Sequence, residues 1–268
     1  MVSFLSGRVV IFGVLVMTPI HEEFTMIQKN EEDGVMFKDY ALDRVKKPHL
    51  SFRYKLRAHN ANWAFKKFGQ TDSPRILDLG SADGLTMDLL HNLSDARQSV
   101  GIEYTQELID SCGKLSRGCR LEQGDVTNLK REYLNGEFHL VTALALLEHI
   151  SDPSLVFQQA YKALEPSGLF VASCPNPFWD KLSGLVGLHK EEFHNTDFRW
   201  NLFCELSEKN GFEPIKFKPF MFVPYAFLPY LKLPVSVQFA GILDSIILNL
   251  KLFNFTFVNQ LFIARKPS

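Results

Sequence analysis

The sequence lacks several features that would assign a protein to a class at once. Its 268 residues carry a net charge of -1, so there is no basic excess of the kind that binds nucleic acid. Its four cysteines form no C-x-x-C pair and no spacing typical of a metal site, which predicts reduced thiols. We therefore expect a cytoplasmic protein with no nucleic-acid partner.

The N-terminal part lacks a convincing export signal or membrane span. The apolar run Val9–Ile20 is shorter than the roughly 20 residues that a bilayer requires, and no A-x-A cleavage site follows it. Met17 and Met26 are alternative starts. We expect an over-extended start or a loose apolar leader rather than a working signal peptide, and we assign residues 1–51 to a leader and cap.

Two common nucleotide-binding motifs are also missing from the segment that resembles them most. Arg75–Leu90 reads as a buried strand, a loop from Gly80 to Gly84 and the first turns of a helix. Ala82 stands where G-x-G-x-x-G needs its second glycine, and the G-K-[ST] of a P-loop is absent. Asp78 lies near the end of the strand, where open α/β sheets bind their ligands.

Strand and helix patterns alternate along the rest of the chain. A helix is predicted over Phe52–Phe68, another from Thr105, and a third after Ser151-Asp-Pro153, where a capping residue precedes a proline. The alternation indicates an α/β fold with a mostly parallel sheet. After the first strand, further strands are predicted at Ser99–Glu103, Cys119–Asp125, Phe138–Ala145, Leu169–Ser173, Gly211–Phe217 and Phe257–Ala264.

Acidic residues follow or end three successive strands. Asp78, Glu103 and Asp125 should face one crevice, because the carboxyl ends of parallel strands share one edge of a sheet. Glu103 also lies near the roughly 20-residue spacing from Gly80 at which an acid meets ribose hydroxyls. Three acids in register with a glycine loop indicate a nucleotide-type ligand.

These segments together resemble the class I S-adenosylmethionine-dependent methyltransferases, over about residues 60–218. The nearest resemblance is to the small-molecule branch that includes ubiquinone-biosynthesis O-methyltransferases and enzymes acting on sugars and lipids. It implies a Rossmann-like, mostly parallel seven-stranded sheet with helices on both faces, in a domain spanning residues 52–268. The motifs that carry it are Asp78–Gly84, Gly101–Tyr104, Gly124–Val126, Phe138–Val141 and Leu164–Gly168.

The resemblance implies a role for each motif residue toward S-adenosylmethionine. The loop containing Gly80, Ser81 and Gly84 would cradle the methionine part, with Asp78 near its amino group. Glu103 would hold the ribose. Tyr104 would pack on the adenine, while Asp125 would meet the adenine amino group with Val126 packed beside it.

His149, with Glu148 beside it, is the candidate catalytic residue after the fourth predicted strand. An imidazole there can take a proton from an attacking hydroxyl, or it can simply order the loop. Ubiquinone-type relatives carry a further acid where Ala145 stands, so we expect no metal. The acids and histidines of the loop Pro175–Thr196 are expected to be a charge-rich acceptor loop rather than ligands; they are His189, Glu191, Glu192 and His194.

A hydrophobic insertion over residues 219–256 precedes the last strand. Prolines recur in its first part, and Val235–Leu252 then reads as one helix that is apolar nearly all round. Three interpretations stay open for residues 220–255: a buried cover over the sheet, a homodimer contact, or a peripheral membrane contact that admits a lipid-like acceptor.

We expect a cytoplasmic enzyme, able to work peripherally at a membrane, that methylates a small-molecule acceptor. Oxygen is the favoured target, and lipid-linked and glycan-linked acceptors are both included. One alternative is a non-catalytic cofactor-binding protein of the same fold. Another is an NAD-type Rossmann oxidoreductase, which Ala82 and the Gly124-Asp125 pair disfavour.

Overall fold

The computed structural model describes residues 38–179, 181, 197–250 and 256–268. The predictions made for residues 1–37 and for the loop histidines and acids between 189 and 194 lie outside the described residues. The remainder of the predicted leader and cap is helical.

The described strands form one seven-stranded sheet in the order β3-β2-β1-β4-β5-β7-β6. Strand β7 pairs antiparallel with both of its neighbours, and the other pairings are parallel. The predicted Rossmann-like, mostly parallel sheet is therefore confirmed. The strands are β1 (Arg75–Leu79), β2 (Gln98–Glu103), β3 (Cys119–Gln123), β4 (Phe138–Leu144), β5 (Leu164–Pro175), β6 (Glu213–Phe222) and β7 (Phe257–Arg265).

Helices cover both faces of the sheet, as predicted. On one face, Phe157, Phe170 and Phe203 are fully buried in an aromatic cluster, and on the other Leu56 and Phe220 belong to the core. The helices are α1 (Lys38–Lys46), α2 (Pro48–Phe68), α3 (Leu85–Leu93), α4 (Gln106–Asp110), α5 (Pro153–Ala163), α6 (Trp200–Lys209), α7 (Val223–Ala226) and α8 (Val237–Leu250). Single 3-10 turns occur at Arg131–Tyr133, Leu147–His149 and Leu228–Leu231.

Local signals account for where several helices begin and end. The Asp152 carboxylate accepts from the backbone N–H of Ser154 at 3.0 Å, and Pro153 occupies the first turn of α5, as predicted. Helix α2 also begins with a proline, so it extends to Pro48 rather than starting at Phe52. Its end at Phe68, before Gly69, matches the prediction.

The two largest differences from the predicted strand boundaries are the start of β5 and the end of β6, and both arise from pairing with neighbouring strands. Strand β5 begins at Leu164 rather than at Leu169, because Leu164 pairs with Phe138 before the register shifts. Strand β6 continues to Phe222 rather than ending near Phe217, although Pro219 lies within it. The missing N–H is tolerated because β6 is an edge strand that pairs only with β7.

Residues 223–250 of the hydrophobic insertion form α7, a 3-10 turn and α8, on the face of the sheet that α2 also covers. The buried Asp244 carboxylate anchors α8 to the end of β6. It accepts from the backbone N–H groups of Met221 at 2.9 Å and Phe222 at 3.1 Å, and from the Tyr225 hydroxyl at 2.6 Å. Among the described helices, none has the length and hydropathy needed to cross a membrane.

Asp244→Ala should destabilise the fold by about 3 kcal/mol, because it leaves buried donors on Met221 and Tyr225, and a half-buried one on Phe222, without an acceptor. Urea denaturation measures this loss of unfolding free energy. The matched control is Ser245→Ala at the next, exposed position of α8, which should stay within about 0.5 kcal/mol of wild type. A loss below about 1 kcal/mol for Asp244→Ala would contradict the anchoring role.

Candidate functional site

The three predicted acids do lie at the ends of three adjacent strands. Strand β2 pairs in parallel with β1 and with β3, with Asp78 opposite Gly101 and Glu103 opposite Gln123. Asp125 follows β3 by two residues. All three acids therefore belong to the carboxyl edge of the sheet, as expected for a ligand crevice.

Asp78 is a buried carboxylate held by two hydroxyl groups. Its Oδ1 accepts from Thr142 Oγ1 on β4 at 2.6 Å, and its Oδ2 accepts from Ser81 Oγ at 2.9 Å. Burial raises the pKa of Asp78 to about 6, although both hydroxyls favour the ionised form. A cation beside it would therefore be strongly favoured.

The glycine loop is pressed between β2 and the segment that follows β4. The backbone N–H groups of Gly80 and Ser81 both donate to the Ile102 carbonyl, at 2.9 and 3.1 Å. Gly80 has a φ of +71°, and a Cβ there would lie 2.8 Å from Leu146 Cδ1. The positive φ therefore favours glycine at this position, and any Cβ would have to displace the end of the Leu146 side chain.

Glu103 is buried and forms part of the wall of the same loop. Its Oε2 accepts from the Ala82 N–H at 2.8 Å, and its Oε1 accepts from the Thr105 N–H at 3.0 Å. A carboxylate can accept about four hydrogen bonds, so these two leave capacity for further donors. Tyr104, the next residue, is 63% exposed.

Asp125 and Val126 take opposite environments at the third strand end. Asp125 is exposed, and its Oδ1 accepts from the N–H and the hydroxyl of Thr127, at 2.8 and 2.7 Å. Val126 is buried in the core beside β2. The exposed Asp125 carboxylate beside the apolar Val126 can therefore accept a hydrogen bond from the edge of a planar ring.

Glu148 and His149 lie in the 3-10 turn that follows β4, and they differ in environment. Glu148 is buried, and its Oε2 has no hydrogen-bond partner among the described residues. Burial, and then the Glu148 carboxylate, raise the pKa of the Cys174 thiol well above its usual value. His149 is half-buried, and Leu146 connects its turn to Gly80.

Sequence reasoning missed an ion pair that closes the site from the N-terminal side. Arg44 on α1 donates from Nη1 to Asp83 Oδ1 at 2.7 Å and from Nη2 to Thr86 Oγ1. All three residues are buried. Arg44 lies 39 residues from Asp83, within the segment assigned only to a cap, so no local pattern could have revealed the contact.

The described part of the chain contains no group of three His, Cys, Asp or Glu residues placed to hold a metal ion. Ala145, which stands where ubiquinone-type relatives carry an acid, offers no side-chain ligand. It has a φ of +59° and donates its N–H to the Ser173 carbonyl at 2.7 Å. The expectation of no metal stays a prediction, because the histidines and acids near residue 190 lie outside the described residues.

Comparisons with known proteins match the central part of the chain. Residues 77–172 match a family model described as "Methyltransferase domain". A demethylmenaquinone methyltransferase of Lactobacillus johnsonii is 29% identical over 111 residues, 39% of this chain and 45% of the relative. A ubiquinone biosynthesis O-methyltransferase of Pseudomonas aeruginosa is 22% identical over 116 residues, 43% of this chain and 50% of the relative.

The chain thus spans half or less of the length of these curated relatives. Among solved structures, a SAM-dependent methyltransferase of Archaeoglobus fulgidus has a TM-score of 0.53 at 19% identity, covering 78% of this chain and 94% of that one. That likeness shows the fold. The comparisons confirm the predicted resemblance to class I S-adenosylmethionine-dependent methyltransferases.

Arg44→Ala should destabilise the protein by about 3 kcal/mol, because it leaves the Asp83 carboxylate buried without its cation. Burial already raises the pKa of Asp83, and the Arg44 charge is the main influence that opposes this. Chemical denaturation measures the loss.

The matched control is Lys47→Ala, which removes an exposed pair with Asp43 near the same helix and should cost no more than about 0.5 kcal/mol. Asp83→Asn should recover part of the Arg44→Ala loss, because an amide is less costly to bury than a charge. Equal losses for Arg44→Ala and Lys47→Ala would show that the buried pair does not stabilise this loop.

Proposed function

We propose that this chain, which has the class I methyltransferase fold, binds S-adenosylmethionine at the carboxyl edge of its sheet and transfers the methyl group to a small-molecule acceptor. The observation that carries the proposal is the pairing of two buried carboxylates, Asp78 and Glu103, on adjacent parallel strands around one glycine loop. The whole chain's activity is inferred from this site.

The charges of the site fit the amino-acid end of that cofactor. An ammonium group beside Asp78 would compensate for burial of the carboxylate, which otherwise raises its pKa to about 6. Gly80 lets the loop turn tightly beside this end of the site, because it adopts a φ of +71° and allows Leu146 to pack against its backbone.

The remaining motif residues fit the nucleoside. Glu103 retains acceptor capacity for two ribose hydroxyls after its bonds to Ala82 and Thr105. Tyr104 exposes enough of its ring to stack on adenine, and Asp125 can accept from an exocyclic amino group.

When bound, S-adenosylmethionine supplies an electrophilic methyl group on a positively charged sulfur. The protein's task is then to align an acceptor oxygen with that group and to remove its proton. We assign the removal of this proton to His149, because Leu146, which precedes its turn, packs against Gly80. Glu148, the buried residue next to it in the same turn, is the second candidate.

The acceptor class is inferred from the names of the curated relatives. Both curated relatives are named for quinone methylation, and one name specifies oxygen. We therefore favour O-methylation of a small acceptor, with lipid-linked and glycan-linked molecules as the classes to examine first. A non-catalytic cofactor-binding protein remains the alternative that the assay below distinguishes.

Calorimetry should detect S-adenosylmethionine binding, and Glu103→Ala should weaken it at least tenfold, about 1.4 kcal/mol, by removing charged hydrogen bonds to the ribose. Glu107→Ala is the control, because Glu107 is exposed on α4 and should leave affinity unchanged. Absence of any binding by the wild-type chain would refute the proposal.

Activity can then be followed as transfer of a labelled methyl group to lipid, quinone and glycan extracts. Labelling that depends on His149 would support methyl transfer. Binding without labelling of any extract would instead favour the non-catalytic alternative.

The affinity for S-adenosylmethionine should rise as the pH increases through about 6 and level off above about 7. In the free protein Asp78 is protonated below this pKa, and the bound ammonium group requires the carboxylate. Below pH 6 each pH unit should therefore change affinity by up to about tenfold. Asp78→Asn should bind weakly and lose this step, whereas Asp125→Asn should keep it.

A further inference from the structure

Helix α8 buries its charged side chain and exposes apolar ones, which is the reverse of an ordinary surface helix. Its only charged residue, Asp244, is fully buried against β6. Surface helices normally turn their apolar side toward the core and their charges toward water. The outward side of α8 instead carries an apolar stripe of four residues, each more than half exposed: Phe239 (55%), Ile242 (62%), Ile246 (52%) and Leu250 (53%).

The segment before α8 exposes further large apolar side chains. Phe227, Leu231 and Leu233 are 40%, 69% and 50% exposed, and Lys232 between them is exposed as well. Together with the apolar stripe they make a continuous stretch of chain with exposed hydrophobic residues over positions 227–250. Exposed apolar sets of this size mark binding surfaces in proteins that are otherwise stable in water.

The elements beside α8 are cationic, although the whole chain has a net charge of -1. Helix α2 contains no acidic residue. The only acidic residue in Pro214–Leu250 is Asp244, and its carboxylate is buried. One of the cations, Lys66, lies 3.9 Å from Asp95. The cations of the two segments are Arg53, Lys55, Arg57, Lys66, Lys67, Lys216, Lys218 and Lys232.

A groove between α2, β6 and α8 joins these cations to the outward side of α8. It consists of two adjoining cavities of about 590 and 420 Å³, whose walls include Lys67, Lys216 and Lys218 as well as Ile242 and Ile246. Lys218 Nζ donates to Asn60 Oδ1 at 2.7 Å and lies 4.1 Å from the centre of the Trp63 ring. Positive charge is therefore built into the flank of the apolar stripe.

We propose that α8 and residues 227–233 dock on an anionic lipid bilayer, with the apolar stripe at the acyl boundary and the flanking lysines at the lipid phosphates. The length of α8, 14 residues or about 21 Å, suits a helix lying in the plane of the interface rather than one crossing it. Basic residues near a membrane add to the binding of such helices.

Charge favours a bilayer over a second copy of this chain as the occupant of the surface. A dimer through α8 would bring two sets of lysines from α2 and β6 toward each other. Like charges at an interface oppose association, whereas anionic headgroups attract the same residues. The proposal does not depend on methyl transfer, since it uses none of the residues at the carboxyl edge of the sheet.

Flotation of the full chain with vesicles tests the proposal. The chain should float with vesicles of two parts phosphatidylcholine to one part phosphatidylglycerol, more weakly as salt is raised, and should not float with phosphatidylcholine alone. Combined Phe239→Ser, Ile242→Ser and Ile246→Ser should reduce binding at least tenfold. Leu155→Ser, an exposed apolar change on α5 across the sheet, is the matched control and should bind as wild type.

A second variant tests the charged flank without touching α8. Lys67→Gln combined with Lys216→Gln should weaken binding at least tenfold and reduce its dependence on salt, because both lysines are exposed. Circular dichroism checks that each variant is folded.

Three results would overturn the proposal. The first is failure of the wild-type chain to bind anionic vesicles, and the second is unchanged binding by the folded serine and glutamine variants. The third is a dimer in sedimentation analysis that the serine variant dissociates, which would assign the surface to a second copy.

Discussion

Parallel pairing of β1 with β2 and β4 is the constraint on which the rest of this structure depends. It places Asp78 where Thr142 can reach it from β4, and it sets the Ile102 carbonyl where the glycine loop donates to it. Had β2 run the other way, Glu103 would lie at the opposite edge from Asp78. Strand direction therefore decides which side chains meet at the site.

Buried carboxylates with specific partners decide how the outer segments attach to this sheet. Asp83 holds α1 over the glycine loop through Arg44, and Asp244 holds α8 on the end of β6 through three donors. A buried charge is tolerated only where such partners exist, so each pair selects one docking position from many that hydrophobic packing alone would allow. Removing one partner from either contact leaves a buried polar group unpaired and destabilises the attached segment.

The two sides of the molecule suit different tasks. The carboxyl edge of the sheet gathers two buried carboxylates and an exposed aromatic ring, which suit the charged, water-soluble cofactor proposed above. The surface of α8 combines exposed hydrocarbon with a cationic flank, which suits an amphiphilic partner. An acceptor delivered from a membrane would connect the two, although each surface is argued from its own residues.

Most of the correct predictions of secondary structure rest on residues that lie close together in the chain. The alternation of apolar runs with helical patterns predicted the positions of all seven strands, and the Asp152-Pro153 pair located the start of α5, because both signals act within a few residues. Pairing with another strand decided the remainder. It extended β5 through Pro166–Gly168 and carried β6 past Pro219, where local preference indicates a turn.

The sequence by itself determined the sheet, the order of its motifs and the acids at its carboxyl edge, since spacing and periodicity are local properties of a chain. Only the tertiary structure decided that Arg44 pairs with Asp83, that Glu148 is buried and that α8 turns Asp244 inward and Ile242 outward. A helix that is apolar nearly all round has no pattern to say which side is buried. The donors at the end of β6 settle that question, because the one carboxylate of the helix has to face them.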